Sequence, residues 1–339
     1  MKRGWKLLGL GLFLMGLVAP TVQAEEYMGG YTIEGVPHSK QLDKNVGYFY
    51  LKENPGEKDS IKLKLINNSN EDKILQIKVT DANTNSNGIV DYSGNLKNHD
   101  TLETPLTSVL KASQEEVNVP KESTVETTLT VNMPTSKKEG VMIGGILVTD
   151  ETERKEDSAE ELSVKNEYSY TMGVVLTNEN EINMNKNISV ELEKVGPILY
   201  DGRKIVQADI LNPNPYLFGT AKVSGEILEK NSNKVVKEAS KDEVSIAPYS
   251  VFPFQLDWKK DELKPGNYIF KGVVETKDNK WEFEKEFEIT AEKAKEINNE
   301  SVFKVQIPEW LTYTTLITSI VTIVGTVWLV VRKRRKKHE

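Results

Sequence analysis

Residues 61–65 read Ile-Lys-Leu-Lys-Leu, an unbroken alternation of apolar and charged side chains. Successive side chains on a β-strand point to opposite faces, so this pattern predicts a strand with one face on a core and one in water. The same period governs residues 188–192 (Ile-Ser-Val-Glu-Leu) and residues 281–289, where Lys285 interrupts the apolar face. Residues 74–79 and 124–131 follow it less strictly. Turn chemistry separates these runs: Asn54-Pro55-Gly56, Pro134-Thr135-Ser136, Asn212-Pro213-Asn214-Pro215 and Lys264-Pro265-Gly266-Asn267. No long run of period 3.6 occurs between Glu25 and Thr290; residues 104–110 and 291–297 each predict a turn or two of helix. Short strands punctuated by turns predict an all-β chain of antiparallel sandwiches.

The two ends carry a different signal. Lys2, Arg3 and Lys6 precede an apolar run over residues 7–18 and a small-residue site at Val22-Gln23-Ala24. That order predicts a secretory signal over residues 1–24, too short to span a bilayer, which takes about 20 apolar residues. Residues 311–331 carry no charge and predict a transmembrane helix. Trp310, Tyr313 and Trp328 stand where interfacial aromatics sit. Arg332, Lys333, Arg334, Arg335, Lys336 and Lys337 follow, so residues 332–339 are expected to stay in the cytoplasm against membrane lipid. A sortase signal needs a Leu-Pro-x-Thr-Gly motif before the span, and the chain has Gln306-Ile307-Pro308-Glu309-Trp310 instead. The expected product is a single-pass cell-membrane protein with its N-terminal body outside.

That body divides at residues 151–161, a charged stretch without an apolar residue larger than alanine. The expected order is a first sandwich over 30–150, the linker, a second sandwich over 162–290, and a juxtamembrane linker over 291–309. Acidic residues outnumber basic ones, 51 to 44, and much of the basic charge lies in the terminal segments, so the body is strongly acidic. Such a surface repels nucleic acid and argues against it as a partner. With no cysteine, stability rests on core burial alone.

Catalytic chemistry is sparse. His38 and His99 are the only histidines outside the tail, and no nucleophile elbow, phosphate loop or zinc spacing occurs. The sequence predicts no catalytic residues, no metal and no cofactor, hence no enzyme. Two alternatives stay open: a wall-modifying hydrolase working with paired carboxylates, and a surface receptor or secretion chaperone. Residues 83–88 (Asn-Thr-Asn-Ser-Asn-Gly) invite comparison with a calcium loop. The twelfth position is Gly94, not glutamate, which favours an ordinary interstrand loop. Candidate binding residues are Asn212, Pro213, Pro215, Tyr216 and Phe218, an exposed-looking cluster. Gly144 and Gly145 join them, where a second backbone has room to approach. The competing readings are a rigid turn with Tyr216 and Phe218 in their own core, and a bulge at the glycines.

A series of stretches in order resembles the WxL-interacting proteins of Gram-positive bacteria. In the first half these are Gly47-Tyr48-Phe49-Tyr50-Leu51, Asn67-Asn68-Ser69, residues 83–88 with Asp91-Tyr92, and residues 140–146 (Gly-Val-Met-Ile-Gly-Gly-Ile) after Pro134. In the second they are residues 166–170 (Asn-Glu-Tyr-Ser-Tyr), residues 212–215, Ile246-Ala247-Pro248-Tyr249-Ser250, residues 264–268 and residues 281–284. Tyr249 departs from the pattern, where asparagine commonly follows the proline. The resemblance implies two tandem immunoglobulin-like β-sandwich domains followed by one transmembrane α-helix. It also implies a scaffold whose first domain associates with peptidoglycan. The second would hold WxL-domain surface proteins and host extracellular-matrix ligands.

Overall fold

The computed structural model describes residues 28–152, 168–182, 188–303 and 309–335, with side chains in the last segment described over 314–328. The expected signal over 1–24 and most of the 151–161 linker lie outside the described residues, as do the side chains of Trp310, Tyr313, Arg332, Lys333, Arg334 and Arg335.

The alternating runs become strands of two sandwiches. In the first, β1 (Tyr31–Gly35), β3 (Lys58–Asn67), β9 (Ser123–Asn132) and β7 (Leu110–Ala112) form one sheet in that order. The facing sheet runs β2 (Phe49–Lys52), β11 (Ser169–Thr177), β10 (Val141–Asp150), β4 (Lys73–Asp81) and β8 (Glu116–Val119). Ile61, Leu63 and Leu65 are fully buried between the sheets with Leu75, Ile77, Leu129 and Val131. Each such side chain contributes roughly 1.5–3 kcal/mol by leaving water. The helix α1 (Leu106–Val109) plugs the core with Leu106 and Val109.

One boundary differs from expectation. Ser169–Thr177, grouped above with the second sandwich, pairs antiparallel with β10 and parallel with β2. Its Val174 and Leu176 are buried in the first core. The charged 151–161 stretch therefore connects two strands of one sheet, and the change of sandwich comes after Thr177.

The second sandwich packs β12 (Glu191–Tyr200), β13 (Arg203–Asn212) and β16 (Ser250–Asp257) against β15 (Lys234–Ile246), β14 (Phe218–Glu229), β17 (Gly266–Glu275) and β18 (Lys280–Ile289). Trp258 is buried in its core and Trp281 packs on it. Residues 188–190 are not strand; the Asn214 side chain bonds both Ser189 N (3.1 Å) and Ser189 O (2.7 Å) in place of a ladder. Lys285 breaks the apolar face of β18 because its ammonium crosses to the carbonyl of Glu193 (2.5 Å), tying the two sheets at their edge. A second boundary also differs: the helix α2 (Ala291–Glu300), expected within a juxtamembrane linker over 291–309, closes the second sandwich with buried Ala294 and Ile297, capped where Lys293 N donates to Thr290 Oγ1.

The same corner motif occurs once in each sandwich. Asn67 ends β3 and Asn212 ends β13. Asn67 Nδ2 donates to the carbonyls of Glu71, Val119 and Pro120, and its Oδ1 accepts from Ser69 N. Asn212 Nδ2 donates to those of Tyr216, Ile246 and Ala247, and its Oδ1 accepts from Asn214 N. Each asparagine stands opposite a serine, Ser123 or Ser250, preceded by a residue of positive φ, Glu122 (50°) or Tyr249 (51°).

The helix α3 (Glu309–Arg335) follows five residues after Phe303. Thr318, Ser319, Thr322 and Thr326 bond back to carbonyls four residues earlier at 2.7–2.8 Å, so their hydroxyls are satisfied within the helix. The described side chains cover only part of the uncharged 311–331 run. Among the described residues no helix is long and apolar enough to cross a membrane.

Candidate functional site: an aromatic groove and the joint beside it

Of the residues first expected to bind ligand, Pro215 and Tyr216 instead build the joint between the sandwiches, and Asn212 and Phe218 are buried within the second. Asn212 is 0% exposed, Phe218 2% and Tyr216 4%, while Pro213 and Pro215 are half-buried. The exposed-looking cluster is thus corrected to a buried one, because the Asn212 carboxamide folds the turn inward. Phe218 packs in the second core, with its ring edge-on to Trp281 at 5.5 Å. The Pro215 carbonyl accepts from Val141 N of the first sandwich (2.9 Å). The Tyr216 hydroxyl donates to Glu179 (3.0 Å), which also accepts from Gly140 N (2.9 Å). Burial first, then the Glu179 carboxylate, raises the Tyr216 pKa and keeps that phenol a donor.

The 83–88 segment is the other half of the joint. It begins at the short strand β5 (Asn83–Thr84), which pairs with β6 (Val90–Asp91). Thr84 N donates to Ser250 Oγ (3.0 Å), Thr84 Oγ1 accepts from Ala247 N (2.9 Å), and Gly88 O accepts from Ser245 N (2.8 Å). Its asparagines make local turns, Asn85 Oδ1 accepting from Asn87 N. The loop is an interdomain arm, with the same side chains a calcium loop would have used turned to hydrogen bonding.

Gly144 and Gly145 lie in β10 with continuous register to both neighbours, so no bulge forms there. A Cβ on Gly144 would meet the Thr80 carbonyl at 2.0 Å and Leu106 at 2.7 Å, on the core side. One on Gly145 would meet Thr171 at 2.7 Å and Tyr92 at 3.3 Å, on the outer face. The close approach is therefore made by the chain's own α1 and by the segment carrying Tyr92.

That outer face holds the most site-like surface. Met142, Ile146 and Val148 of β10 point into the core, so the odd-numbered residues face out. Over β2, β11 and β10 lies a groove of about 660 Å³ floored by Ile143, Thr171, Gly173 and Val175. Tyr48, Tyr50 and Tyr92 wall it. The Tyr48 and Tyr50 rings are 6.5 Å apart and inclined at 33°, and Tyr48 is 41% exposed. Gly173 lets Tyr48 sit low, since a Cβ there would stand 3.2 Å from that of Tyr48. Burial first, and Tyr48 next, raises the pKa of Tyr50 and of Tyr92, so both hydroxyls remain protonated and able to donate and accept. Aromatic faces with hydroxyl rims suit a ligand that is apolar on its ring faces and hydroxylated at its edges, as a sugar is.

Tyr92 and Thr171 also line a second cleft of about 660 Å³ that continues the first. Its surface is polar, with Gln76, Lys78, Asp91, Asn95 and Tyr168. None of these groove residues was singled out from the sequence as a binding residue. The signal was present: in Gly47-Tyr48-Phe49-Tyr50-Leu51, period two with Phe49 and Leu51 inward turns both tyrosines outward.

A charged cluster lies apart from the groove. Lys40 Nζ contacts Glu53 (2.7 Å), Glu57 (2.7 Å) and Asp59 (2.6 Å), and His38 Nε2 is 3.6 Å from Asp59. His38 Nδ1 accepts from Lys40 N (3.2 Å), which places the ring proton on Nε2. A protonated nitrogen beside an ammonium is no metal ligand, so the cluster reads as a structural ion-pair network. Glu53 is 0% exposed with one oxygen unpartnered, and burial raises its pKa from 4.5 to about 7 against the pull of Lys40. Between those values the folded state holds a proton that the unfolded state has lost, so stability falls as pH rises through this window. Glu53→Gln removes that fall. The melting temperature of the variant relative to wild type is expected to rise between pH 4.5 and 7 and to level off above, which thermal melts across that range will test.

Tandem β-sandwiches carrying an aromatic groove describe a binding protein. A family model described as the WxL Interacting Protein peptidoglycan binding domain matches residues 31–150, and one described as its host binding domain matches residues 159–299. The chain belongs to the WxL-interacting protein family, and its two matched regions are binding domains. No curated protein matches it. Similar solved structures include the CupB2 chaperone of Pseudomonas aeruginosa, at 10% identity over 67% of this chain and 91% of that one, with a TM-score of 0.28. The E. coli chaperone DraB aligns at 14% identity over 72% and 95%, with a TM-score of 0.29. A PapD-like domain of human CEP192 aligns at 12% identity over 50% and 97%, with a TM-score of 0.28.

Proposed function

We propose that this chain is a membrane-anchored scaffold of the cell envelope. Its first sandwich holds peptidoglycan glycan in the Tyr48–Tyr50–Tyr92 groove, and its second holds WxL-domain surface proteins and host ligands. The observation that carries this reading is the aromatic groove, whose three tyrosine walls lie within the residues matched by the peptidoglycan-binding model. Anchoring rests on the uncharged 311–331 run and its basic flank. It gains support from the way the second sandwich ends: Ser301 Oγ (2.8 Å) and Val302 N (3.0 Å) are bonded to the Gly202 carbonyl, and only residues 304–308 separate Phe303 from α3. Five residues reach at most about 18 Å, which keeps the second sandwich next to the bilayer.

The test is sedimentation of the full-length protein, in detergent, with purified cell-wall sacculi. Tyr48→Ala and Tyr50→Ala are each expected to weaken binding about fivefold, as the loss of roughly 1 kcal/mol of aromatic contact would. Unchanged binding in both variants would remove the groove from the function. Release of soluble muropeptides would turn the reading toward a hydrolase.

A further inference from the structure

We propose that the polar half of the groove reads the peptide carried by the glycan, with Lys78 taking a peptide carboxylate. This rests on the assignment of the aromatic half to glycan. Lys78 stands on the outer face of β4, opposite Leu147 of β10, at the floor of the polar cleft. It is exposed and makes no ion pair among the described residues, whereas Lys73 of the same strand is held by Asp150 at 2.5 Å. Across the cleft, Asp91 Oδ1 is engaged by Ser93 N and Oγ, while its other oxygen has no partner among the described residues. The cleft thus presents one available cation and one available carboxylate oxygen, with the carboxamides of Gln76 and Asn95 alongside.

A bare sugar polymer offers no amine to Asp91, and its only anion is the lactyl carboxylate of an unsubstituted muramic acid, which the peptide caps as an amide. A short peptide containing a diamino acid offers a carboxylate to Lys78, an amine to Asp91 and amide groups to Gln76 and Asn95. In peptidoglycan the peptide leaves the glycan through the lactyl ether of the muramic acid ring. A sugar stacked on the tyrosines would send its peptide along the shared wall of Tyr92 and Thr171. The ligand class is therefore peptide-substituted glycan.

The test is competition against sacculus binding by the full-length protein in detergent, with two soluble probes: a disaccharide muropeptide, and the same disaccharide with its lactyl carboxyl capped as a simple amide in place of the peptide. The muropeptide is expected to compete about tenfold better for wild type and no better for Lys78→Gln. Lys78→Arg should keep most of the preference. Equal competition by both probes for wild type, or a preference that survives in Lys78→Gln, overturns the proposal while leaving glycan binding intact. Failure of the wild type to bind sacculi at all overturns the glycan assignment itself, and this proposal with it. Melting curves of both variants should match wild type, since Lys78 is exposed on a strand whose Leu75 and Ile77 supply the core contacts.

Discussion

Asn212→Ala is expected to lower the stability of the second sandwich by about 3 kcal/mol, and Asn67→Ala to lower that of the first by less, about 1–2 kcal/mol, because part of its corner reaches water. The two N–H groups of each carboxamide serve three backbone carbonyls and its oxygen one backbone N–H, in a corner fully buried at Asn212 and partly buried at Asn67. Alanine removes the donor and leaves those groups buried, and each unsatisfied group costs about 1–3 kcal/mol. In a domain of this size the loss corresponds to roughly 10 °C in melting temperature. Asn212→Asp is the sharper control. It preserves shape and turns a second acceptor toward the carbonyls of Tyr216, Ile246 and Ala247, so it should be worse than alanine at neutral pH. Calorimetry of the three variants decides it. A loss below 1 kcal/mol, or an aspartate milder than alanine, would mean that water enters the corner and that the bonds are not what holds it.

Gly140→Val should open the joint between the sandwiches. Gly140 has φ of +80°, a conformation that β-branched residues adopt only under strain, and a Cβ there would fall 2.1 Å from the Pro215 carbonyl oxygen. That carbonyl is the acceptor for Val141 N, and Gly140 N itself donates to the Glu179 carboxylate that holds Tyr216. Valine therefore removes two interdomain links at once, at a cost of about 3 kcal/mol or more. The expected result is a single coupled thermal transition in wild type and two transitions in the variant. Proteolysis between residues 178 and 190 should also be faster. Leu217 and Ile182 line one end of the groove beside the joint, so sacculus binding should also weaken as the joint opens. One unchanged transition would show that the 83–88 arm suffices to hold the domains together.

These two cases show what kind of information the chain carries openly. Alternation at 61–65 and 281–289 was enough to predict strands, because a strand exposes its period directly in local order. The helical turns at 104–110 and 291–297 were legible for the same reason, and both formed. The lysine that broke the pattern at Lys285 was legible as a break and not as a tie to Glu193, since its partner is 92 residues away. Charge misled at residues 151–161. A solvated stretch looks alike whether it joins two domains or two strands of one sheet, and only the pairing of β11 with β10 and β2 distinguishes them.

The site followed the same division. The turn residues Asn212, Pro213, Pro215, Tyr216 and Phe218 looked available because asparagine, proline and tyrosine are common at exposed turns. Burial arose from long-range partners that local order does not reveal: the carbonyls of Ile246 and Ala247 for Asn212, the second core for Phe218, and the Gly140–Glu179 surface for Pro215 and Tyr216. Tyr48, Tyr50 and Tyr92 were visible as residues, and the first two could be placed on an outer face. That they meet over Gly173 required β2 to lie beside β11 and the Tyr92 segment to cross Gly145. By itself, then, the sequence determined the β class, the alternation of the cores, the family and the sparseness of catalytic chemistry, all of which depend on residue type and near-neighbour order. The tertiary structure alone decided which sheet each strand joined, which polar residues were buried, and where aromatic side chains from distant segments converged. Those outcomes depend on long-range pairing, which period and composition leave open.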